Sequence, residues 1–203
     1  MRYSIPLRVL CVALFPFLFV TACDSGGSND SVDNQFSLTI EPASSSGTIV
    51  EAVQKELNGF SFFYEGENPN TGEKAFGIYL SDNESFSKQN ATDGLFGWVA
   101  RSSDQPDSGS YSFTMQPDPG DNNFVGFFYE DFANFQNEPW HVIESGTIQI
   151  NESSGNKVSG SIEATGTTYT PTDGGVTEEP VTITGSFTAK DVETFVAFNS
   201  PGV

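Results

Sequence analysis

"TIQINESSGNKVSGSIEA" (Thr147–Ala164) is the stretch that decides the fold. Ile148 and Ile150 alternate with Thr147 and Gln149; further on, Val158, Ile162 and Ala164 alternate with Ser159, Ser161 and Glu163. A period of two sends successive side chains to opposite faces, so each half reads as a half-buried β-strand. Between them "ESSGN" (152–156) supplies glycine and asparagine, which enter tight turns at little steric cost. The unit is a hairpin.

The same rhythm runs outward in both directions. "FSLTI" (36–40), "FSFFY" (60–64), "FGIYL" (76–80), "YSFTM" (111–115) and "VTITGSF" (181–187) all alternate. "ENPNTG" (67–72), "DQPDSG" (104–109), "PDPGDNN" (117–123) and "PTDGG" (171–175) punctuate them as turns. Many short strands between such turns predict an all-β chain, a single antiparallel β-sandwich or barrel-like meander, since sequential neighbours usually pair. "FVGFFY" (124–129) is apolar on both faces and predicts a strand covered from both sides. One segment breaks the rhythm. In "GTIVEAVQKELNG" (47–59), Ile49, Val50, Val53 and Leu57 recur at helical spacing, Glu51 lies four residues before Lys55, and Gly59 is a stop. The spacing predicts one short helix near 48–58.

The N-terminus follows different rules. Arg2 and Arg8 precede "VLCVALFPFLFV" (9–20), twelve uncharged residues interrupted by Pro16. A membrane-spanning helix needs about 20 apolar residues, whereas a basic start, a short apolar core and small residues at its end describe a secretory signal peptide. The run ends in "VTAC" (20–23), which resembles a bacterial lipobox. That resemblance implies cleavage before Cys23 and acylation of its thiol. The expected organisation is a signal peptide over 1–22, a flexible tether over 23–34 and one antiparallel β domain over 35–203.

Cysteine usage agrees with this division. Cys11 lies in the segment to be discarded and Cys23 is the only other cysteine, so no thiol is left for a disulfide, a metal or a nucleophile. Loss of Arg2 and Arg8 leaves six Lys+Arg against 27 Asp+Glu. Such a surface repels nucleic acid and anionic headgroups, and no nucleic-acid partner is expected.

"GLFGWVA", "GSYSF", "NFVGFFY", the hairpin "SGTIQINESSGNKVSGSIEATG" and "VTITGSFTA", all between residues 94 and 190, resemble a group of uncharacterised bacterial lipoproteins. Those carry an SGT-I-x-I / V-SG-x-I hairpin and a closing V-T-I-T-G-x-F strand. The resemblance implies an all-β domain and a cell-envelope location, and brings no catalytic residues with it; within the envelope the outer membrane is expected rather than the inner.

The residues themselves offer little for catalysis. His141, the one histidine, stands at the start of a strand and reads as a structural residue; no G-x-S-x-G elbow occurs. Glu130 and Asp131 are adjacent, so in a strand they point apart and cannot flank a glycosidic bond. No enzyme is expected. "PDPGDNN" brings Asp118, Asp121 and Asn123 into one turn, oxygen ligands of the kind calcium takes, although the spacing also suits a plain turn. Aromatic residues crowd the stretch from 124 to 140. Phe132 and Phe135 suggest one helical turn laid over an open end of the sheet, and with Trp98 and Trp140 they form a candidate ligand-binding patch.

These observations describe a lipid-anchored envelope lipoprotein whose β domain is non-catalytic, with a structural or binding role and a glycan or protein as partner. The alternatives are a carbohydrate-binding module using the aromatic patch, or a barrel that holds a small apolar ligand.

Overall fold

The computed structural model describes residues 34–43, 54–67, 73–84, 94–116 and 122–192. Nine strands follow in chain order among these residues: β1 (Gln35–Pro42), β2 (Lys55–Glu67), β3 (Lys74–Ser81), β4 (Phe96–Arg101), β5 (Gly109–Ser112), β6 (Val125–Tyr129), β7 (Trp140–Ser154), β8 (Lys157–Thr172) and β9 (Gly175–Asp191). Eight of them close a barrel in the order β1–β2–β3–β4–β6–β7–β8–β9, because β9 pairs back onto β1 and β7 onto β8. The extra strand, β5, pairs with the second half of β7. Pairings between strands are antiparallel apart from a two-residue parallel contact of β2 with β9, beyond the start of β1. The fold is all-β, and of the two expected architectures it is the barrel.

The opening hairpin forms as read. β7 ends at Ser154 and β8 begins at Lys157, with Gly155 and Asn156 as the turn. "PTDGG" likewise becomes the β8–β9 turn, where Thr172 faces Gly175. Alternation then sets the core. Phe36, Leu38 and Ile40, Phe76, Ile78 and Leu80, Ile148 and Ile150, and Val181, Ile183 and Phe187 all point inward, none more than 4% exposed. Each such side chain contributes about 1.5–3 kcal/mol on burial. The gap between Leu38, Ile78, Leu80, Val99, Ile148, Ile162 and Phe187 has no room for a water molecule. The barrel is filled there by its own side chains.

Bulges reset the faces of β7. Extra residues between Ile143 and Ser145, and between Ile150 and Glu152, shift its register against β8. The first bulge moves the inward positions from His141 and Ile143 to Ile148 and Ile150, and it also divides β7 between its two partners, β6 and β5. Gly146 sits beside it at φ +129°, where a Cβ would lie 2.4 Å from the Ala164 Cα.

The helix expected near 48–58 is corrected for the part that is described. Residues 44–53 lie outside the described residues, but Lys55 to Asn58 are strand. Leu57 pairs with Leu38 and Lys55 with Ile40, so β1 takes up the backbone hydrogen bonds that a helix would have made within itself. Leu57 joins the core at 5% exposure. Closure of the barrel needs this whole length of β2.

The outer wall has two characters. On β1 the outward residues are Gln35, Ser37, Thr39 and Glu41, polar and mostly exposed. A barrel in hydrocarbon presents the reverse, an apolar band outward. On β2, β3, β4 and β6, by contrast, a second apolar cluster lies outside the barrel: Tyr64, Tyr79, Trp98, Ala100 and Val125, with Phe96, Phe127 and Val192 against it. "FVGFFY" is thus covered on both faces, by Phe128 inside and Val125 outside.

Candidate functional site

The outer aromatic cluster follows from strand pairing. Tyr79 faces Trp98, Trp98 faces Phe127, and Phe96 faces Tyr129, so rings from three adjacent strands meet on one wall. Trp98 lies 5.4 Å from Phe127 between ring centres, and Phe96 lies 6.2 Å from both Phe127 and Tyr79. Burial pushes the Tyr79 hydroxyl well above its ordinary range, Tyr64 adds to this, and a hydrogen bond from Trp98 opposes it. Burial also raises Tyr129. These phenols are hydrogen-bonding groups at the protein's working pH, never charges.

Phe132 and Phe135 extend the cluster. They belong to the hydrogen-bonded turn that joins β6 to β7, in which the amides of Asn137 and Glu138 donate to the Asn134 carbonyl. The Phe132 amide donates to the Gly94 carbonyl, tying the turn to the entry of β4. Phe132 then stands 5.2 Å from Phe96 and 5.0 Å from Tyr129, and Phe135 lies 6.1 Å from Phe132. The turn therefore folds back on the outer wall and does not lie over the barrel's open end, because Phe96 and Tyr129 face outward and offer it rings. Phe135 is the prominent member, 45% exposed.

Trp140 occupies a neighbouring place. It pairs with Tyr129 across β6 and β7, but its ring stacks on Tyr169 of β8, 5.4 Å away and within 10° of parallel. The four aromatic residues singled out in the sequence thus separate into Trp98, Phe132 and Phe135, linked through Phe96, Phe127 and Tyr129, and Trp140 with Tyr169 beside them. Sequence reasoning missed Phe96 and Tyr169, and met Tyr129 only as one ring of the crowded stretch from 124 to 140. Counting outward from the hairpin turn puts Pro171 opposite Trp140; the two bulges are what bring Tyr169 there.

A polar line crosses one end of the interior. His141 is 2% exposed; its Nδ1 meets Thr168 Oγ1 at 2.8 Å and its Nε2 meets Glu130 Oε1 at 3.1 Å. The other Glu130 oxygen is bound by Lys55 of β2. Burial pushes the Glu130 carboxyl up, but the hydrogen bonds and charges of His141 and Lys55 outweigh it, and the net displacement is downward. Nε2–H donates to the Glu130 carboxylate, an assignment made from the partners. Hydroxyl, imidazole and carboxylate also line up in hydrolase triads. Here the ring and hydroxyl are buried under the strand ends, and the carboxylate joins β2, β6 and β7. The line is a latch on the barrel.

Arg101 lies at the opposite end of the β4 interior face. It is 7% exposed, its guanidinium sits 5.1 Å from the Tyr111 ring centre and 5.7 Å from that of Phe124, and Nη2 donates to Asn122 Oδ1 at 2.7 Å. Its Nε and Nη1 have no hydrogen-bond partner among the described residues.

Of the remaining sequence candidates, Cys23, Asp118 and Asp121 lie outside the described residues, and Asn123 is half-buried just before β6. No group of three or more His, Cys, Asp or Glu is placed to hold a metal among the described residues. Comparison with protein-family models, with curated proteins and with solved structures finds no match for this chain.

Proposed function

We propose that this chain is a lipid-anchored bacterial envelope protein, held by acylated Cys23 and carrying a non-catalytic β-barrel that binds a partner through its outer wall. The observation that carries the anchor is "VTAC", placed directly after a twelve-residue uncharged run. Two or more acyl chains on one residue hold a protein at a membrane where a single chain is marginal. Residues 23–34 then act as the tether, ending where the barrel's first strand begins at Gln35. Fully extended, these residues span at most ~40 Å, enough to hold the barrel clear of the headgroups. The resemblance to uncharacterised envelope lipoproteins points the same way, and of the two membranes the outer is the one proposed.

The binding part of the reading rests on the aromatic wall. Rings that serve the core alone are buried, whereas Phe135 is 45% exposed and Trp140, stacked on the buried Tyr169, is half-buried on the outside. Exposed rings rimmed by acids suit a glycan or a protein surface. A small apolar ligand within the barrel is less well supported, since core side chains leave no room for even a water where the gap lies. Two experiments test the halves separately. Cys23→Ser should move the protein from the detergent phase to the aqueous phase or leave it uncleaved; unchanged partitioning refutes the anchor. Phe135→Ala with Trp140→Ala should abolish capture of whichever glycan or envelope protein the wild type retains, and retention at full strength refutes the aromatic wall.

A further inference from the structure

A second surface lies around the barrel from the aromatic wall, and we infer that it binds a neutral oligosaccharide. It is an open groove of about 980 Å³ on the outer faces of β2, β1, β9 and β8, reaching the end of β7. Sites that hold small ligands range over roughly 300–1,000 Å³.

One cross-strand row under the groove reads Gly59, Phe36, Phe187, Gly160. A Cβ on Gly59 would sit 2.3 Å from the Ser81 carbonyl oxygen, and one on Gly160 would sit 2.2 Å from that of Gln149. Neither place has room for a side chain, and the inward rings of Phe36 and Phe187 lie against the two glycines. The groove opens on the polar face above this row.

What lines the trough is selective. The chain holds 27 Asp and Glu, yet none contributes to this lining. Acids appear on the same outer strands just beyond it, at Glu41, Glu56 and Glu163. Inside stand Gln35 and Ser37 of β1, Asn58 of β2, Ser186 and Thr188 of β9 and Ser159 of β8. The side chains of these six make no hydrogen bond among the described residues, which leaves their donors and acceptors to the groove. Phe60, half-buried, adds one apolar ring at the edge. Lys157 brings the one cation, and Glu152 at the rim holds it at 2.7 Å.

Chemistry then narrows the occupant. A peptide cannot add here as a strand, because β1, β9 and β8 are paired along both edges and have no backbone groups to offer. A nucleic acid needs unpaired cations, and an acyl chain needs an apolar lining. A sequence of free amides and hydroxyls with one ring matches an uncharged ligand that is rich in hydroxyls and has apolar C–H faces. That ligand is a neutral sugar chain. This inference rests on the binding-module reading but places the ligand on a different wall.

The test is a nuclear magnetic resonance titration of the full chain carrying Cys23→Ser. The probes are hexamers of glucose, mannose and N-acetylglucosamine, each to about 10 mM, a range that reaches even millimolar dissociation constants, with oligogalacturonate as the acidic control. At least one neutral hexamer should shift the amides of Ser37, Asn58 and Ser186, and Ser186→Trp should weaken it about tenfold or more, which is about 1.4 kcal/mol. Oligogalacturonate should not displace it. Shifts confined to Tyr129, Phe132 and Phe135 would overturn the groove while sparing the module. Silence from all the neutral hexamers would overturn the groove, and tighter binding of the acidic control would overturn its neutral specificity.

Discussion

Removing the carboxylate of Glu130 tests how the barrel end is held. In Glu130→Ala the imidazole of His141, 2% exposed, keeps Thr168 on Nδ1 but loses its partner at 3.1 Å on Nε2. A buried donor left unpaired costs about 1–3 kcal/mol. Loss of the Lys55 contact adds little, about 0.2–1 kcal/mol, because the lysine is 46% exposed. The sum, roughly 1–4 kcal/mol, corresponds to about 3–12 °C in melting temperature for a domain of this size. Glu130→Gln keeps an acceptor for His141 and should lose only about a third as much. The pH dependence has a definite sign. Because the folded carboxyl lies below its ordinary value of 4.5, its contribution is full above that value. It disappears as pH falls through the lowered folded value, when the native carboxyl takes up its proton. Calorimetry at neutral pH and again near pH 3 should therefore show a small gap between wild type and Glu130→Gln that closes in acid. A Glu130→Ala protein that melts with the wild type at neutral pH, or a gap that is the same in acid, would refute the latch.

Four further substitutions probe other parts of the fold. Gly146→Ala places a Cβ 2.4 Å from Ala164 Cα at φ +129°, and urea unfolding should show a loss of at least about 2 kcal/mol. Phe128→Ala, inside the barrel at 0% exposure, should cost about 3–5 kcal/mol, whereas Phe135→Ala, 45% exposed, should stay within about 0.5 kcal/mol. Arg101→Met keeps the stem over Tyr111 and Phe124 and removes two unmet donors, each worth about 1–3 kcal/mol. That gain, about 2–6 kcal/mol, offsets the lost Asn122 bond, about 1.5–3 kcal/mol, and a cation–π loss of about 0.5–2 kcal/mol, so scanning calorimetry should show no fall in melting temperature; a clear fall would mean the guanidinium is satisfied in solution.

Alternation made most of the barrel legible, since Leu38, Ile78, Ile148 and Ile183 all point where a period of two sends them. It did not say which face is inside. "FSFFY" offers Phe60, Phe62 and Tyr64 on one face, but the pairing of Leu57 with Leu38 turns that face outward and sends Phe63 in. Register, not hydrophobicity, decided it. Sandwich and barrel differ in one long-range pairing, β9 on β1, and nothing local in either strand encodes that choice. The helical spacing of 47–59 misled for the same reason: a partner strand outweighed local periodicity at Lys55 to Asn58. The latch was hidden because Lys55, His141 and Thr168 come from three strands and Glu130 from the residue just after β6, so no local spacing brings them together. The groove was hidden because its signal is the lack of acids on one wall of an acidic chain, which appears only when five strands stand side by side.

Lipid attachment is most directly tested by mass spectrometry of the mature protein from its native bacterial host. The anchored-barrel account predicts an N-terminal residue at Cys23 whose mass carries fatty acyl groups on sulfur. A chain that begins at any other residue, or at Cys23 with an unmodified thiol, would contradict it.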